Sequence, residues 1–287
     1  MKDPFDIHQA ITDHIIAAIE TGVGACTMPW QRAGLGGSLP RNALTKASYN
    51  GINVLSLWVA GATRGYTHDL WATYKQWQEL GAQVRKGEKS SLICFYKQYD
   101  AKPDPERADD DGKRRVAKAS WVFNVDQVDG FTLPPSSLVD MGPIEREAKA
   151  DAVIARHKID IRYGGDMAYY RPSEDYIQMP EEHRFIGSNR TEAFYSVLFH
   201  EAGHWTGAKG RLNRDLTGRF GTEAYAIEEL CAELTASFCC AELGISATPR
   251  ADHAAYVNNW LSVMKADKRA VFAAAAKASE ATRYLLG

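Results

Sequence analysis

The chain has 287 residues, a length that the usual size of folding units divides into two domains rather than one. Its 45% apolar and 24% charged residues make an ordinary globular composition, which excludes the disordered, collagen-like and disulfide-scaffold classes. The formal charge of -2 conceals an asymmetry: residues 30–97 hold nine basic side chains against three acidic ones.

Residues 7–20 place Ile7, Ile11, Ile15 and Ala18 at helical spacing, and Gly22 and Gly24 end that helix. The run Gly34 to Gly37 reads as a loop, Tyr49-Asn50-Gly51 as a turn, and Ile52 to Ala62 as an apolar helix in which Trp58 belongs to the core. An amphipathic helix is expected from Leu70 to Leu80, ended by Gly81. SLICFYKQY and SWVFNVDQV, rich in β-branched and aromatic residues, read as two strands. The polar stretch 100–118 between them reads as an exposed loop, its KRR run neutralised by the adjacent DDD. FTLPPSSLVDMGPIE marks a linker, so the expected organisation is a first domain over residues 1–132, a linker over 133–144 and a second domain over 145–287. The second opens with a helix (143–156), continues in short strands around IDIRY, MAYYR and DYIQMP, and is helical almost to its end. Strands first and helices later argue for an α+β fold rather than βαβ units.

The five cysteines (Cys26, Cys94, Cys231, Cys239 and Cys240) show no paired CxxC spacing and read as reduced, buried thiols. The apolar run Val271 to Ala276, like every other in the chain, is too short to cross a bilayer, and Asp3, Asp6 and Asp13 are unlike the start of a secretory signal. A cytoplasmic protein without a membrane partner is therefore expected.

Chemistry concentrates at His200-Glu201-Ala202-Gly203-His204, an HExxH motif at the end of a helical pattern. Four residues advance a helix by about 400°, so both imidazoles leave one face and can share a metal ion. Glu201 then stands where its carboxylate can take a proton from an activated water and return it to a leaving amine. A site of this kind needs a third protein ligand. Glu229, in the helical segment YAIEELCAEL, is the candidate; Glu233, one turn later, would hydrogen-bond the far nitrogen of a ligating histidine, and Glu228 would point elsewhere. Without the histidines upstream, these glutamates would read as an ordinary solvated face. The expected cofactor is one divalent metal ion, zinc, with manganese the alternative. His253 and Tyr256 are weaker candidates for an oxyanion partner, and lone His and Tyr side chains are commonly satisfied within a core. DYIQMP could form an edge strand that presents backbone groups to an extended peptide.

In the basic stretch, Trp30, Tyr49, Trp58, Tyr66, Trp71, Tyr74, Trp77, Phe95 and Tyr96 alternate with the cations. Single-stranded nucleic acid is bound by such a mixture, since cations replace counterions along phosphates and aromatic faces accept unstacked bases. A core with a charged rim is the competing reading.

Taken in order, MPWQR, PRNALTKASYNGINVLSLW, WATYKQWQELGAQVRKGEK, FYK, YYRPSEDYIQMP, FYSVLFHEAGHWTG, YAIEELCAEL and the DHAAYVNNWLSVMKADKRAVFAAAAKA tail resemble the ArdC-type antirestriction proteins of conjugative plasmids. The N-terminal part is also similar to plasmid primases of the TraC type. The resemblance covers nearly the whole chain and implies an N-terminal α+β domain that binds single-stranded DNA, followed by a gluzincin-like metallopeptidase domain. By that likeness His200, His204 and Glu229 match the metal ligands and Glu201 the general base. It also implies protection of incoming conjugative DNA from host restriction. Arg41, Lys46, Tyr49, Asn53, Lys75, Arg85, Lys86 and Lys89 are the expected DNA contacts, and a protein or peptide is the expected substrate. Two other readings stay open: a DNA-shielding module with a structural metal, and a protease that clears proteins crosslinked to DNA.

Overall fold

The structure is a computed structural model, described for residues 5–22, 39–100, 113–133, 143–165, 167–185, 190–216, 222–245 and 253–287. Met28 to Arg32 and Gly34 to Gly37, both singled out in the sequence, lie outside the described residues, as do the side chains of His253 and Tyr256. No helix among the described residues is long and apolar enough to cross a membrane.

The N-terminal half is built on a four-stranded sheet of order β1-β2-β5-β4, formed by β1 (Arg41–Asn42), β2 (Leu70–Ala72), β4 (Ser91–Asp100) and β5 (Lys113–Asn124). A short pair, β3 (Gln83–Val84) with β6 (Val128–Asp129), lies beside it. Helix α1 (Ile7–Gly22) buries Ile11, Ile15 and Ile19, one turn apart as the periodicity requires. Helix α2 (Ile52–Arg64) ends at Gly65, whose left-handed φ of 69° only glycine adopts cheaply. This helix seals the open edge of β4. Asn53 Nδ2 donates to the Cys94 carbonyl (2.7 Å) and Asn53 Oδ1 accepts from the Cys94 amide (2.8 Å), while Ser56 Oγ donates to the Leu92 carbonyl (2.8 Å). Side chains thus replace the missing neighbour strand and satisfy groups that would otherwise invite another chain.

Two expectations need correction here. The segment 70–80 is not one helix: Leu70–Ala72 pairs with β1 and β5, and a six-residue helix α3 (Tyr74–Glu79) starts only after Thr73. Thr73 and Gln76 form a reciprocal capping box, which fixes the helix start and leaves the preceding residues extended. The polar stretch 100–118 is not loop throughout either. Strand β5 begins at Lys113 and pairs antiparallel with β4 from Asp100↔Lys113 to Ser91↔Val122, so the KRR run lies in the ladder. At its other end β5 stops at Asn124, whose side chain caps a 3-10 turn (Val125–Gln127) where a longer strand was expected.

The C-terminal half consists of α4 (Pro143–His157), a three-stranded sheet, and helices α5 (Arg190–Thr206), α6 (Glu223–Leu243), α7 (His253–Ala266) and α8 (Ala270–Leu286). The sheet comprises β7 (Asp160–Tyr163), β8 (Tyr169–Arg171) and β9 (Tyr176–Met179), in the order β7-β9-β8. The DYIQMP segment therefore supplies the central strand and not an edge, because β9 pairs parallel with β7 and antiparallel with β8. Its burial fits that place: Ile177 and Met179 are fully covered.

The halves are joined through α6. Its Ala236, Cys239 and Cys240 belong to the core under the three-stranded sheet, whereas its Leu230, Leu234 and Phe238 share one cluster with Ile11, Ile15, Leu55 and Trp58 from α1 and α2. Trp58 is core, as expected, and its ring lies 5.6 Å from that of Phe238. Polar ties cross the same junction: the Gly51 amide donates to Ser279 Oγ (2.8 Å), and Thr12 Oγ1 donates to the Lys268 carbonyl (2.7 Å).

Candidate metal centre

The last turns of α5 carry the HExxH residues, and α6 packs against them closely because Gly203 faces Ala232. A methyl group at Gly203 would stand 3.1 Å from the Ala232 Cα and 3.2 Å from the Thr235 Cβ, closer than ordinary packing allows. That approach brings Glu229 to the two histidines. His200 Nε2 and His204 Nε2 are 3.2 Å apart, Glu229 Oε2 is 3.5 Å from the first, and Glu229 Oε1 is 3.4 Å from the second. Donors held at 2.0–2.2 Å around one tetrahedral ion lie about 3.4 Å from one another. The three side chains therefore converge closely enough to share one ion, with Glu229 turning one oxygen toward each histidine, and they form the group of potential metal ligands found among the described residues. Both His200 and Glu229 are buried.

The surroundings tune these donors. Burial alone would disfavour a charged His204, but hydrogen bonds to Glu228 and Glu229 outweigh it and push its pKa up to about 10. Burial would likewise raise the Glu229 carboxyl, yet His200 and His204 hold it well below the usual carboxylate range. Glu228 does not point elsewhere, contrary to the sequence reading. Its Oε1 lies 3.2 Å from His204 Nδ1 while Arg214 grips both oxygens, through Nε (3.0 Å) and Nη2 (2.8 Å). The imidazole turns its other nitrogen toward α6, and a carboxylate there is what fixes its tautomer for ligation. Glu233 Oε2 stands 3.4 Å from His200 Nδ1, but that nitrogen makes no hydrogen bond among the described residues, so the expected bond is not formed.

Glu201 is buried beside the tripod and accepts a hydrogen bond from the Tyr170 amide of β8 (2.9 Å). Strand β8 is an edge of its sheet, so the edge next to Glu201 comes from MAYYR and not from DYIQMP. A clamp holds it. Arg211 bonds Asp175 and the Tyr170 hydroxyl, and its guanidinium stacks 3.8 Å over the Trp205 ring, tying the β8–β9 turn to the end of α5. Burial, with Asp175 adding to it, pushes the Tyr170 hydroxyl up to about 12.

The eight expected DNA contacts differ in exposure and in partners. Arg41, Lys75, Lys86 and Lys89 are exposed. Arg85 is exposed but occupied by Glu88, Asp129 and backbone carbonyls, and Lys46 Nζ donates to the Ala43 carbonyl (2.6 Å). Tyr49 is half-buried, with Asn42 Nδ2 donating to its hydroxyl (3.3 Å), and Asn53 is taken up in sealing β4. Sequence reasoning missed Glu228, Arg214, the Tyr170 amide and the exposed Trp121. Only the alternation of β5 could have pointed to Trp121, and there Val122 between Trp121 and Phe123 makes the local run apolar on both sides of the strand.

Comparison with known proteins agrees with this architecture. Residues 5–123 match the family model described as the N-terminal domain of anti-restriction factor ArdC, and residues 148–277 match that of a zincin-like metallopeptidase. An uncharacterized protein y4eC of Sinorhizobium fredii is 45% identical over 99% of this chain and 92% of its own length. Two DNA primases TraC of Escherichia coli are 34% and 36% identical, but the chain spans only 27% and 20% of their lengths. The crystal structure of the antirestriction protein ArdC from plasmid R388 superposes with a TM-score of 0.77 at 37% identity in its metal-free form, covering 98% of this chain and 97% of that one. The Mn(II)-bound form superposes equally well, at 38% identity. The chain belongs to the ArdC family of antirestriction proteins, with an N-terminal ArdC domain and a C-terminal zincin-like domain that carries a divalent-metal site.

Proposed function

We propose that this protein is a cytoplasmic metal-dependent peptidase that binds single-stranded DNA through its N-terminal half and protects incoming conjugative DNA from host restriction. The observation that carries the catalytic part is the convergence of His200 Nε2, His204 Nε2 and the Glu229 carboxylate, close enough to share one ion, with Glu201 beside them. Two imidazoles and a carboxylate at these separations suit zinc, the ion we assign, although the R388 relative was crystallised with Mn(II). A divalent ion there supplies Lewis acidity toward a carbonyl and makes a hydrolytic nucleophile available at neutral pH.

The chain's own residues do the rest. Glu201 accepts the proton of the attacking water and delivers it to the departing amine. Its carboxylate is aimed by the Tyr170 amide of the edge strand β8. Glu228 keeps His204 oriented, and Glu233 faces the far side of His200. The DNA part rests on the basic excess of residues 30–97 and on family membership; the primases that share this module are proteins named for DNA synthesis.

The test is cleavage of unfolded casein by the metal-loaded protein, with and without single-stranded DNA, compared with Glu201→Gln. The variant is expected to keep its metal and lose at least about 100-fold in rate, the usual worth of a general base. Equal cleavage by both proteins would overturn the proposal.

A further inference from the structure

Among the described residues ten large apolar side chains stand exposed, and five of them are aromatic rings of the N-terminal half: Phe5, Tyr74, Phe95, Tyr96 and Trp121. An indole left about half exposed (51%) forgoes the burial that usually repays so large an apolar surface, and clusters of such rings mark binding surfaces. The sheet register sorts them by face. Along β5, Trp121 and Phe123 share one face with Ala72 of β2, because Ala72 pairs with Phe123. Phe5 lies on that face with its ring 6.4 Å from Trp121, and Tyr74 lies there with its ring 6.4 Å from Phe123. Trp121 and Phe123, two residues apart on a strand, are separated by about 7 Å. Phe123 is half-buried against the core that includes Ala72 and Trp77, and it links the exposed rings of Trp121 and Tyr74.

Cations frame one end of the row. Lys75 follows Tyr74 on α3 and is exposed, and Arg41, also exposed, leaves the same face of the sheet because it pairs with Leu70, two residues before Ala72. No acidic partner is recorded for either cation among the described residues. The opposite face of the β4–β5 ribbon offers cations but no row: Phe95 is the exposed ring described there, among Lys97, Val116 and Lys118.

We propose that the row Phe5–Trp121–Phe123–Tyr74, with Lys75 and Arg41 at its end, is the platform on which successive bases of single-stranded DNA stack. This rests on the reading of the N-terminal half as a single-strand binder. The chemistry is that of sequence-tolerant recognition, in which every base has a face to stack while the cations hold the phosphates. Duplex DNA, with its bases already stacked, gains nothing from the rings.

Titration of fluorescein-labelled oligothymidylate against the full chain tests it, with Trp121→Ala, Trp121→Phe and Phe95→Ala. Wild type is expected to bind, Trp121→Ala to bind at least about 5-fold more weakly, and Trp121→Phe and Phe95→Ala to stay near wild type. Tryptophan emission gives a second readout, because among the described tryptophans Trp58, Trp71, Trp77, Trp205 and Trp260 are buried and only Trp121 is exposed. Oligothymidylate should quench the wild type, and the quench should be smaller in Trp121→Phe while affinity persists. If wild type binds but Trp121→Ala is unaffected, or if the quench is undiminished in Trp121→Phe, the platform is wrong and single-strand binding stands. If wild type does not bind at all, both fail.

Discussion

Arg214 is only 4% exposed and gives its guanidinium to Glu228, to Thr206 Oγ1 (2.8 Å) and to the Gly203 carbonyl. Removing it would leave Glu228 as a buried carboxylate without its cation, free to turn away from His204. Arg214→Met should therefore weaken metal binding by about 10- to 100-fold, as losses of such outer partners do, while Arg214→Met combined with Glu228→Gln should cost little more than either alone. Competition with a chromophoric chelator measures both, and wild-type affinity in the single variant would refute the role. The shared face of His200 and His204 was legible because a helix turns sequence spacing directly into geometry, whereas Glu229 lies on another helix and its approach to them is a matter of packing. Arg214 was not legible, because it lies in an irregular segment whose approach to α6 depends on tertiary packing.

Among the elements, the contact of α5 with α6 decides whether the ligand set closes. Gly203→Ala would place a methyl group against the Ala232 backbone and the Thr235 side chain, with room for neither. The cost in stability should be about 1–3 kcal/mol, the usual penalty of overpacking, with weaker metal binding as Glu229 is pushed outward. Denaturant unfolding of the metal-free and metal-loaded variant measures both effects; an unchanged protein would mean that the helices slide apart without consequence. Helices α1 and α2 were readable from their apolar spacing, and α6 from its helix-favouring Ala, Leu and Glu. The misreadings fall on short or polar pieces, where a capping box at Thr73 or the extension of a ladder to Lys113 overrides local pattern. The central place of β9 was hidden for the same reason, since strand order is a tertiary fact.

At the scale of the molecule, length and linker suggested two separate cores, but α6 has one foot in each. Leu230, Leu234 and Phe238 would be bared if the halves parted, together with Val271 and Ala274 of α8. The chain should consequently unfold by heat in a single transition, and Trp58→Ala, remote from the metal, should lower it by about 3–5 kcal/mol for the whole protein. Calorimetry showing two independent transitions would contradict this. The same junction places the N-terminal half directly against the helix that supplies Glu229.

Calorimetric titration of zinc into the chelator-treated protein at pH 8, repeated in buffers of different ionisation enthalpy, tests the metal centre most directly. His204, raised to about 10 in the free protein, is protonated at that pH, so the ion must displace a proton and its affinity must climb as pH rises toward that value. The account predicts one ion per chain, release of about one proton, and loss of the site in Glu229→Ala but not in Glu201→Gln. Undiminished zinc affinity in Glu229→Ala, or no saturable binding in the wild type, would contradict it.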